Sequence, residues 1–526
     1  MQTIITFLLF FSALLEYAEH TSILQFADYR LDRTKDYFFS RGGIKSFSKL
    51  HFFWKITALF LIFNPNFSEN ILQIIAIMLI VDIVYRLISF LRKSLPTFTF
   101  RSFLTLLLPT IVETIVFIFL LGSPLALVIL LFRPFIFILT SIILWPFSVL
   151  LKNYYIKKAT EKMRNYKRLK VVGITGSYGK TTVKVFLSQI LEKKFNVIHT
   201  PKNINTEMGI AKFILQTDFS SYDIFVVEMG SYGKGEIKIM TKITKPTVGI
   251  LTTIIEQHLV LFKTIKNIQH AKFELLHAIP KKGISIANID NEYIKELLPK
   301  VRSKVRTFGA NLENKPNCLI KKVIETEKGI EINFKINKEN WKITSPILGK
   351  HQAYNLGASI LAAVSFGVDK KNIIEACSKI TVPDRTMKLM RYGKSIIIDD
   401  SYNSNPVGFK TALKTLEIFN NSYTKIVIAK GMFELGRKTK EKHKEVGEYM
   451  TKYADKIILT TKKPAHLFEA GINEKEVKMY YKLDKKKLTR YIKKLKQNKN
   501  VILLEHRLPE EVYKEILADK DIKKYT

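Results

Sequence analysis

Cysteine is nearly absent from this 526-residue chain, since Cys318 and Cys377 stand far apart with no CxxC pair and no histidine at metal-ligand spacing. A disulfide framework and a cysteine-based zinc site are excluded, and both thiols read as plain buried groups. Acidic residues are outnumbered, 46 Asp+Glu against 84 Lys+Arg. Lys far exceeds Arg and is scattered over segments such as KKLKQNKN, the pattern of solvated helical faces, so nucleic acid is not expected as a partner. The N-terminus lacks both the basic residue ahead of an apolar run and the A-x-A site behind it that mark a cleaved signal peptide. The length suits roughly two to four domains and excludes a single small binding module.

Apolar residues are unevenly spread. Five stretches, about 3–19, 50–64, 71–91, 103–121 and 125–150, fall in the first 150 residues. A crossing helix needs about 20 residues, so the last three are long enough, the first two are marginal, and three to five spans are expected. The connections alternate in charge. Arg30, Arg33, Lys35, Arg41, Lys45 and Lys49 follow the first stretch, whereas Asn64–Asn70 carries no basic residue. Arg92, Lys93 and Arg101 follow the third, Gly122–Pro124 is uncharged, and Lys152–Lys170 holds eight basic residues with one Glu. The positive-inside rule then places everything after residue 152 in the cytoplasm, with the lipid bilayer as a partner. Asp82, Arg86, Glu113 and Arg133 lie within or near the ends of spans, where ionisable groups either snorkel to the interface or pair inside a bundle.

After the basic run comes Leu169-Lys-Val-Val-Gly-Ile-Thr-Gly-Ser-Tyr-Gly-Lys-Thr-Thr182, an apolar strand followed by a glycine-rich turn, and then a segment with helical periodicity. Strand, loop and helix in that order surround phosphates with backbone N–H groups and a helix N-terminus. Lys180 supplies positive charge and the Thr181 hydroxyl is available to Mg²⁺. The candidate nucleotide-binding residues here are Gly176, Ser177, Tyr178, Gly179, Lys180, Thr181 and Thr182. The strict G-x4-G-K-[ST] pattern needs Gly at 174, which is Ile; the glycines are Gly173, Gly176 and Gly179.

This G-x-x-G-x-x-G-K-T-T spacing resembles the Mur ligase family, which joins amino acids or peptides to a carboxylate at the expense of ATP. Six further segments resemble the family in its own order. Asn203-Ile-Asn-Thr-Glu-Met-Gly209 looks like the asparagine-rich loop of the D-alanyl-D-alanine-adding branch, which makes Asn203, Asn205 and Thr206 candidate substrate contacts. Phe225-Val-Val-Glu-Met-Gly230 ends a buried strand on Glu228, a Mg²⁺ ligand by resemblance, and Glu256-Gln-His-Leu259 puts His258 where the family has a metal-ligand histidine. Ala271-Lys-Phe-Glu-Leu275 places Lys272 where the family's lysine is carbamylated. Leu348-Gly-Lys-His-Gln-Ala-Tyr-Asn355 brings Asn355 toward adenine. Ile398-Asp-Asp-Ser-Tyr-Asn-Ser-Asn-Pro406, followed by Gly431-Met-Phe-Glu-Leu-Gly436, adds Asp400, Asn403 and Asn405 from the last domain. Arg385 in Pro-Asp-Arg-Thr is nearby to contact phosphate or ribose.

The resemblance implies a catalytic set of Lys180, His258 and Lys272. It also implies ATP with two Mg²⁺ ions held by Thr181, Glu228, His258 and a carbamate on Lys272. Activating a carboxylate brings it against polyphosphate, and cations must offset their repulsion as the acyl phosphate forms. The substrates would be an amino acid or dipeptide donor and a muramyl-peptide or lipid-linked acceptor, in cell-wall precursor synthesis. The expected organisation is an N-terminal α-helical membrane region at 1–151 and a basic linker at 152–168. A P-loop-type, mostly parallel α/β ATPase domain follows at 169–382, and a C-terminal Rossmann-like α/β domain at 383–526. Strands are expected at 169–174, 223–228, 247–252, 395–399, 425–430, 456–460 and 500–504.

The resemblance has gaps. No counterpart of the family's UDP-binding N-terminal domain is recognisable, and Val501-Ile-Leu-Leu-Glu-His-Arg-Leu508 stands where the family tends to read Lys-Gly-Ser-Arg. UDP-linked, lipid-linked and other acidic acceptors stay open. Two alternatives stand beside the ligase reading: a membrane-bound poly-γ-glutamate-type synthase, and an ATPase subunit of a membrane transport or scaffold complex.

Overall fold

The structure, a computed structural model, describes residues 2–26, 55–57, 60, 69–92, 99–120, 128–202, 204–256, 259–402, 405–432, 438–460, 465–473, 478–481, 485–506 and 508–525. The chain forms two compact units, Met1–Tyr154 and Tyr155–Thr526.

The first unit is built on helices α1 (Gln2–Phe26), α2 (Glu69–Arg92), α3 (Phe100–Phe119) and α4, which runs Ile129–Arg164. Among the described residues, three segments are long and apolar enough to cross a membrane: Ile4–Gln25, Phe100–Phe119 and Ile129–Arg164. The first stretch, read as marginal at 3–19, is thus long enough, because its helix continues past residue 19 to Phe26. The 152–164 segment, read as a linker, is the last part of α4.

Polarity in this unit runs inside out. Large apolar side chains such as Phe7, Phe119, Phe135 and Leu150 are exposed, while Arg133, Arg86, Lys55, Glu16, Asp82 and Glu113 are buried. Arg133 donates from Nε to Glu113 at 2.9 Å, from Nη1 to Ser12 Oγ at 2.9 Å and from Nη2 to the Leu9 carbonyl at 2.8 Å. Arg86 meets Asp82 at 2.9 Å and Glu16 at 3.2 Å, and Lys55 meets Glu16 at 2.8 Å. Asp82, Arg86, Glu113 and Arg133 are therefore paired inside the bundle. Pairing is what makes buried charge tolerable, and an apolar exterior suits hydrocarbon surroundings.

The second unit contains two sheets. In the first, β1 (Lys170–Thr175), β2 (Val197–His199), β3 (Ile224–Glu228), β4 (Val248–Leu251), β5 (Ile284–Asn288) and β6 (Lys304–Gly309) precede β7 (Cys318–Thr326), β8 (Gly329–Ile336) and β9 (Glu339–Ser345). Their order is β2-β3-β1-β4-β5-β6-β7-β8-β9, parallel through β7 and antiparallel from β7 to β9. The parallel strands read as unbroken apolar runs because helices cover both faces. Ile174, Val226 and Ile250 join one core cluster, and Phe225, Val227 and Leu251 join the other. The chain leaves β1 toward β3 on one side and returns to β4 on the other, so the carboxyl ends of these strands form a switch point, the usual place for a ligand.

The second sheet has the order β14-β13-β12-β15-β11-β10-β16, comprising β10 (Lys388–Tyr392), β11 (Ser395–Asp400), β12 (Thr424–Ala429), β13 (Lys456–Leu459), β14 (Lys478–Tyr481), β15 (Asn500–Glu505) and β16 (Ile522–Lys524). Its interior is parallel, and β10 and β16 add antiparallel at one edge. All seven expected strands lie within one residue of the observed bounds, 247–252 being trimmed by one residue at each end.

Candidate active site

The turn after β1 leads into α5 (Lys180–Leu191), whose N-cap is Gly179 at φ 83°. Two glycines are required here. A Cβ on Gly179 would lie 2.5 Å from Asn355 Oδ1, and one on Gly176, at φ 148°, would lie 2.1 Å from Thr252 Oγ1. The loop is pinned by a bond from Ser177 N to the Thr253 carbonyl at 2.7 Å and by the Thr252 hydroxyl donating to the Tyr178 carbonyl. It thus holds the open, N–H-lined shape that phosphate needs.

Around the start of α5 the candidate residues converge. Lys180 Nζ donates to the Gly176 carbonyl at 2.8 Å, and Thr181 Oγ1 donates to Glu228 Oε2 at 2.9 Å. Glu228, the last residue of β3, also accepts from Asn205 Nδ2 at 3.1 Å and pairs with Lys184 Nζ at 3.1 Å. Burial by itself would raise the Glu228 carboxyl, but Lys184 and then Lys180 outweigh it and hold the group below the ordinary carboxylate value. Lys272, on the helix Ile265–Ala278, is buried and donates to Ser231 Oγ at 3.0 Å and to the Ser231 carbonyl at 3.3 Å. Burial, reinforced by Lys180, drives its ammonium well below the ordinary lysine value. Burial also lowers Lys180, against the pull of Glu228. A small cavity of about 50 Å³ is lined by Gly176, Ser177, Lys180, Asn205, Ser231 and Lys272.

A larger cavity of about 300 Å³ opens beside the loop. Tyr178, Thr252, His351, Tyr354 and Asn355 line it from the first sheet's domain, and Asn405, Val407, Gly408 and Thr411 from the second's. Tyr178 OH lies 3.0 Å from His351 Nε2, and burial takes His351 down to about 4, so its ring is neutral at pH 7. Tyr354 OH donates to Asp290 at 3.0 Å. Asn405 caps the helix Pro406–Thr415 by accepting from Gly408 N at 2.9 Å, which fixes that helix's start at the cavity wall. Asp400, which lines neither cavity, is buried, accepting from Met387 N at 3.1 Å and raised to about 7 by burial, with Asp399 adding.

Other candidates are placed differently. Arg385 stacks on Tyr513, 3.9 Å from the ring centroid, and pairs with Glu510 at 2.9 Å, and it is not among the residues lining either cavity. Thr206 caps the helix Glu207–Gln216, accepting from Gly209 N at 3.3 Å. Ser177 Oγ accepts from Ile255 N at 3.2 Å, and Thr182 is buried on α5. Asn203, His258 and Asn403 lie outside the described residues, as does most of the Gly431–Gly436 motif. Sequence reading missed Lys184, Ser231, His351 and Tyr354. Two of them carried a signal: Lys184 is one helical turn beyond Lys180, and Ser231 follows the acid-ended strand.

A strand-terminal phosphate loop, an acid-ended neighbouring strand and a nucleoside-sized cavity shared by two α/β domains define a nucleotide-dependent enzyme, and the chain belongs to the Mur ligase family. It matches the Mur ligase middle domain over residues 174–363 and the Mur ligase glutamate ligase domain over 386–505. UDP-N-acetylmuramoyl-tripeptide--D-alanyl-D-alanine ligase of Buchnera aphidicola subsp. Baizongia pistaciae is 28% identical over 367 residues, which is 67% of this chain and 78% of that protein. The enzyme of the same name from Bacillus subtilis is 27% identical over 338 residues, 64% of this chain and 72% of its own. The crystal structure of MurF ligase from Thermotoga maritima in complex with ADP superposes with a TM-score of 0.60 at 26% identity, covering 70% of this chain and 82% of that one.

Proposed function

We propose that this chain is an ATP-dependent acid–amino-acid ligase of the D-alanyl-D-alanine-adding type, releasing ADP and phosphate. The supporting observation is the convergence of Lys180, Thr181, Glu228 and Lys272 at the phosphate loop, beside the larger cavity. The nucleoside would fill that cavity. Its polyphosphate would lie on the backbone N–H groups of 178–181, with Lys180 exchanging the Gly176 carbonyl for phosphate.

The donor set suits Mg²⁺, because a threonine hydroxyl and an ionised carboxylate meet at 2.9 Å and both are hard oxygen ligands. Thr181 and Glu228 would hold it, with His258 and a carbamate on Lys272 added by family resemblance. Bound there, Mg²⁺ would offset the repulsion between the polyphosphate and the acceptor carboxylate. Lys272 suits carbamate formation, because burial disfavours its ammonium form and the free amine is the form that adds CO₂. Asn405 and its helix come from the second domain, so domain closure would complete the site and exclude water from the acyl phosphate.

The helices of the first unit serve, in this reading, as a membrane anchor with the ligase domains in the cytoplasm. The basic stretch Lys152–Lys170 would lie against anionic headgroups, each cation contributing roughly 1 kcal/mol at most. An acceptor at the same membrane gains effective concentration without any new contact.

The test supplies detergent-solubilised protein with ATP, Mg²⁺, D-alanyl-D-alanine and either UDP-linked or lipid-linked muramyl tripeptide, and identifies the product by mass. Amide product with stoichiometric ADP supports the ligase reading, and the preferred acceptor shows what the helices are for. Steady ATP hydrolysis with no ligated product from either acceptor would refute it.

A further inference from the structure

Glu228 is fully engaged by protein donors. Oε2 accepts from Thr181 at 2.9 Å and pairs with Lys184 at 3.1 Å, while Oε1 accepts from Asn205 at 3.1 Å. Lys184 itself is out of solvent, its side chain 2% exposed against 4% for Glu228. A buried ammonium persists only where a counter-charge meets it, and among the described residues the ion pair of Lys184 is with Glu228. The negative charge that a metal would use is thus already compensated from within the protein. A divalent cation approaching this carboxylate meets the repulsion of an ammonium a few ångströms away in a poorly solvated site.

We propose that Lys184 is a built-in counter-ion that keeps the Glu228 carboxylate charged and aimed while closing it to divalent metal until nucleotide arrives. The inference rests on the reading that Glu228 holds the metal. A polyphosphate on the loop adds several negative charges beside Lys180 and the start of α5, enough to outweigh one ammonium. Metal then enters with the nucleotide rather than ahead of it. Lys184 is a positioning residue here, acting on the carboxylate and not on the substrate.

The measurement is Mn²⁺ binding to the full-length protein in detergent, read from the electron paramagnetic resonance signal of free Mn²⁺, with and without ADP. Wild type should bind Mn²⁺ weakly without ADP and much more tightly with it. Lys184→Met should tighten nucleotide-free binding about tenfold or more, a gain that a merely structural lysine would not give on removal. Lys184→Arg, which keeps the charge, should stay at the wild-type level, and adding Glu228→Gln to Lys184→Met should abolish the gain. If Lys184→Met does not fold, Lys184→Gln carries the same expectation, since it can still donate to Glu228 but brings no charge. Nucleotide-free affinity unchanged in the uncharged variant, with Glu228→Gln still weakening Mn²⁺ binding in ADP, overturns the role of Lys184 and leaves the metal reading standing. Glu228→Gln without effect on Mn²⁺ binding in ADP overturns both.

Discussion

Replacing Gly176 by alanine puts the shape of the phosphate loop to a quantitative test. The new Cβ would lie 2.1 Å from Thr252 Oγ1, 3.0 Å from the Thr253 carbonyl oxygen and 3.1 Å from Thr253 N. Backbone cannot rotate away as a flexible side chain can, so the loop itself must shift. Its φ of 148° is strained for alanine, at a cost of about 1–3 kcal/mol. Shifting the loop also weakens the Ser177–Thr253 bond and the Thr252–Tyr178 contact, about 0.5–1.5 kcal/mol each. The sum, about 2–6 kcal/mol, falls on the segment that would contact nucleotide. At about 1.4 kcal/mol per decade, affinity for nucleotide should drop between about thirtyfold and about twenty-thousandfold. Gly235→Ala is the internal control, for Gly235 also has a positive φ, 87°, but its Cβ would meet nothing within 4 Å. Equilibrium titration of full-length protein with a fluorescent ADP should show that control within about threefold of wild type. Gly176→Ala binding within the same range, or Gly235→Ala failing equally, would refute the close packing of the loop as the origin of the site.

Lys272→Ala should be inactive and partly rescued by short carboxylic acids that replace the carbamate oxygens, and turnover without rescue would remove the carbamate from the account. The raised carboxyl of Asp400 sets a pH dependence. Because its folded value, about 7, exceeds the unfolded one, the stability it contributes is complete at low pH and is lost as pH rises through about 7. Asp400→Asn, which can still accept from Met387 N, should therefore melt progressively higher than wild type between pH 5 and 8, and a difference independent of pH would contradict this. In the first unit, Arg133→Met leaves Glu113 without its buried cation and takes one of three from Glu16, and should lower stability in detergent by about 3–5 kcal/mol. An unchanged melting temperature would show that the network is incidental.

The parallel strands were legible because burial on both faces demands continuous apolar runs, as in Lys170–Thr175 and Ser395–Asp400, and the phosphate loop because glycine, lysine and threonine have fixed jobs there. The antiparallel strands β7 to β9 were not, since their lysines and glutamates face solvent on one side and read as an ordinary polar segment. Pairings distant in sequence were equally hidden. Arg133 meets Ser12 across 121 residues, and Thr181 meets Glu228 across 47, and no local pattern announces either contact. Arg385 shows the opposite case. Its place beside a family-like motif pointed to the nucleotide, whereas stacking on Tyr513 and pairing with Glu510 hold it on its own domain.

The central claim, that this site activates a carboxylate by phosphoryl transfer from ATP, is tested most directly by the fate of oxygen. An acceptor labelled with ¹⁸O in its reacting carboxylate is incubated with ATP, Mg²⁺ and D-alanyl-D-alanine, and the released phosphate is weighed. Attack of the carboxylate on the terminal phosphorus makes the acyl phosphate, and the amine then displaces phosphate together with one carboxylate oxygen. The account predicts ADP and one ¹⁸O in each phosphate released during ligation. Unlabelled phosphate, or AMP and pyrophosphate in place of ADP, would contradict it.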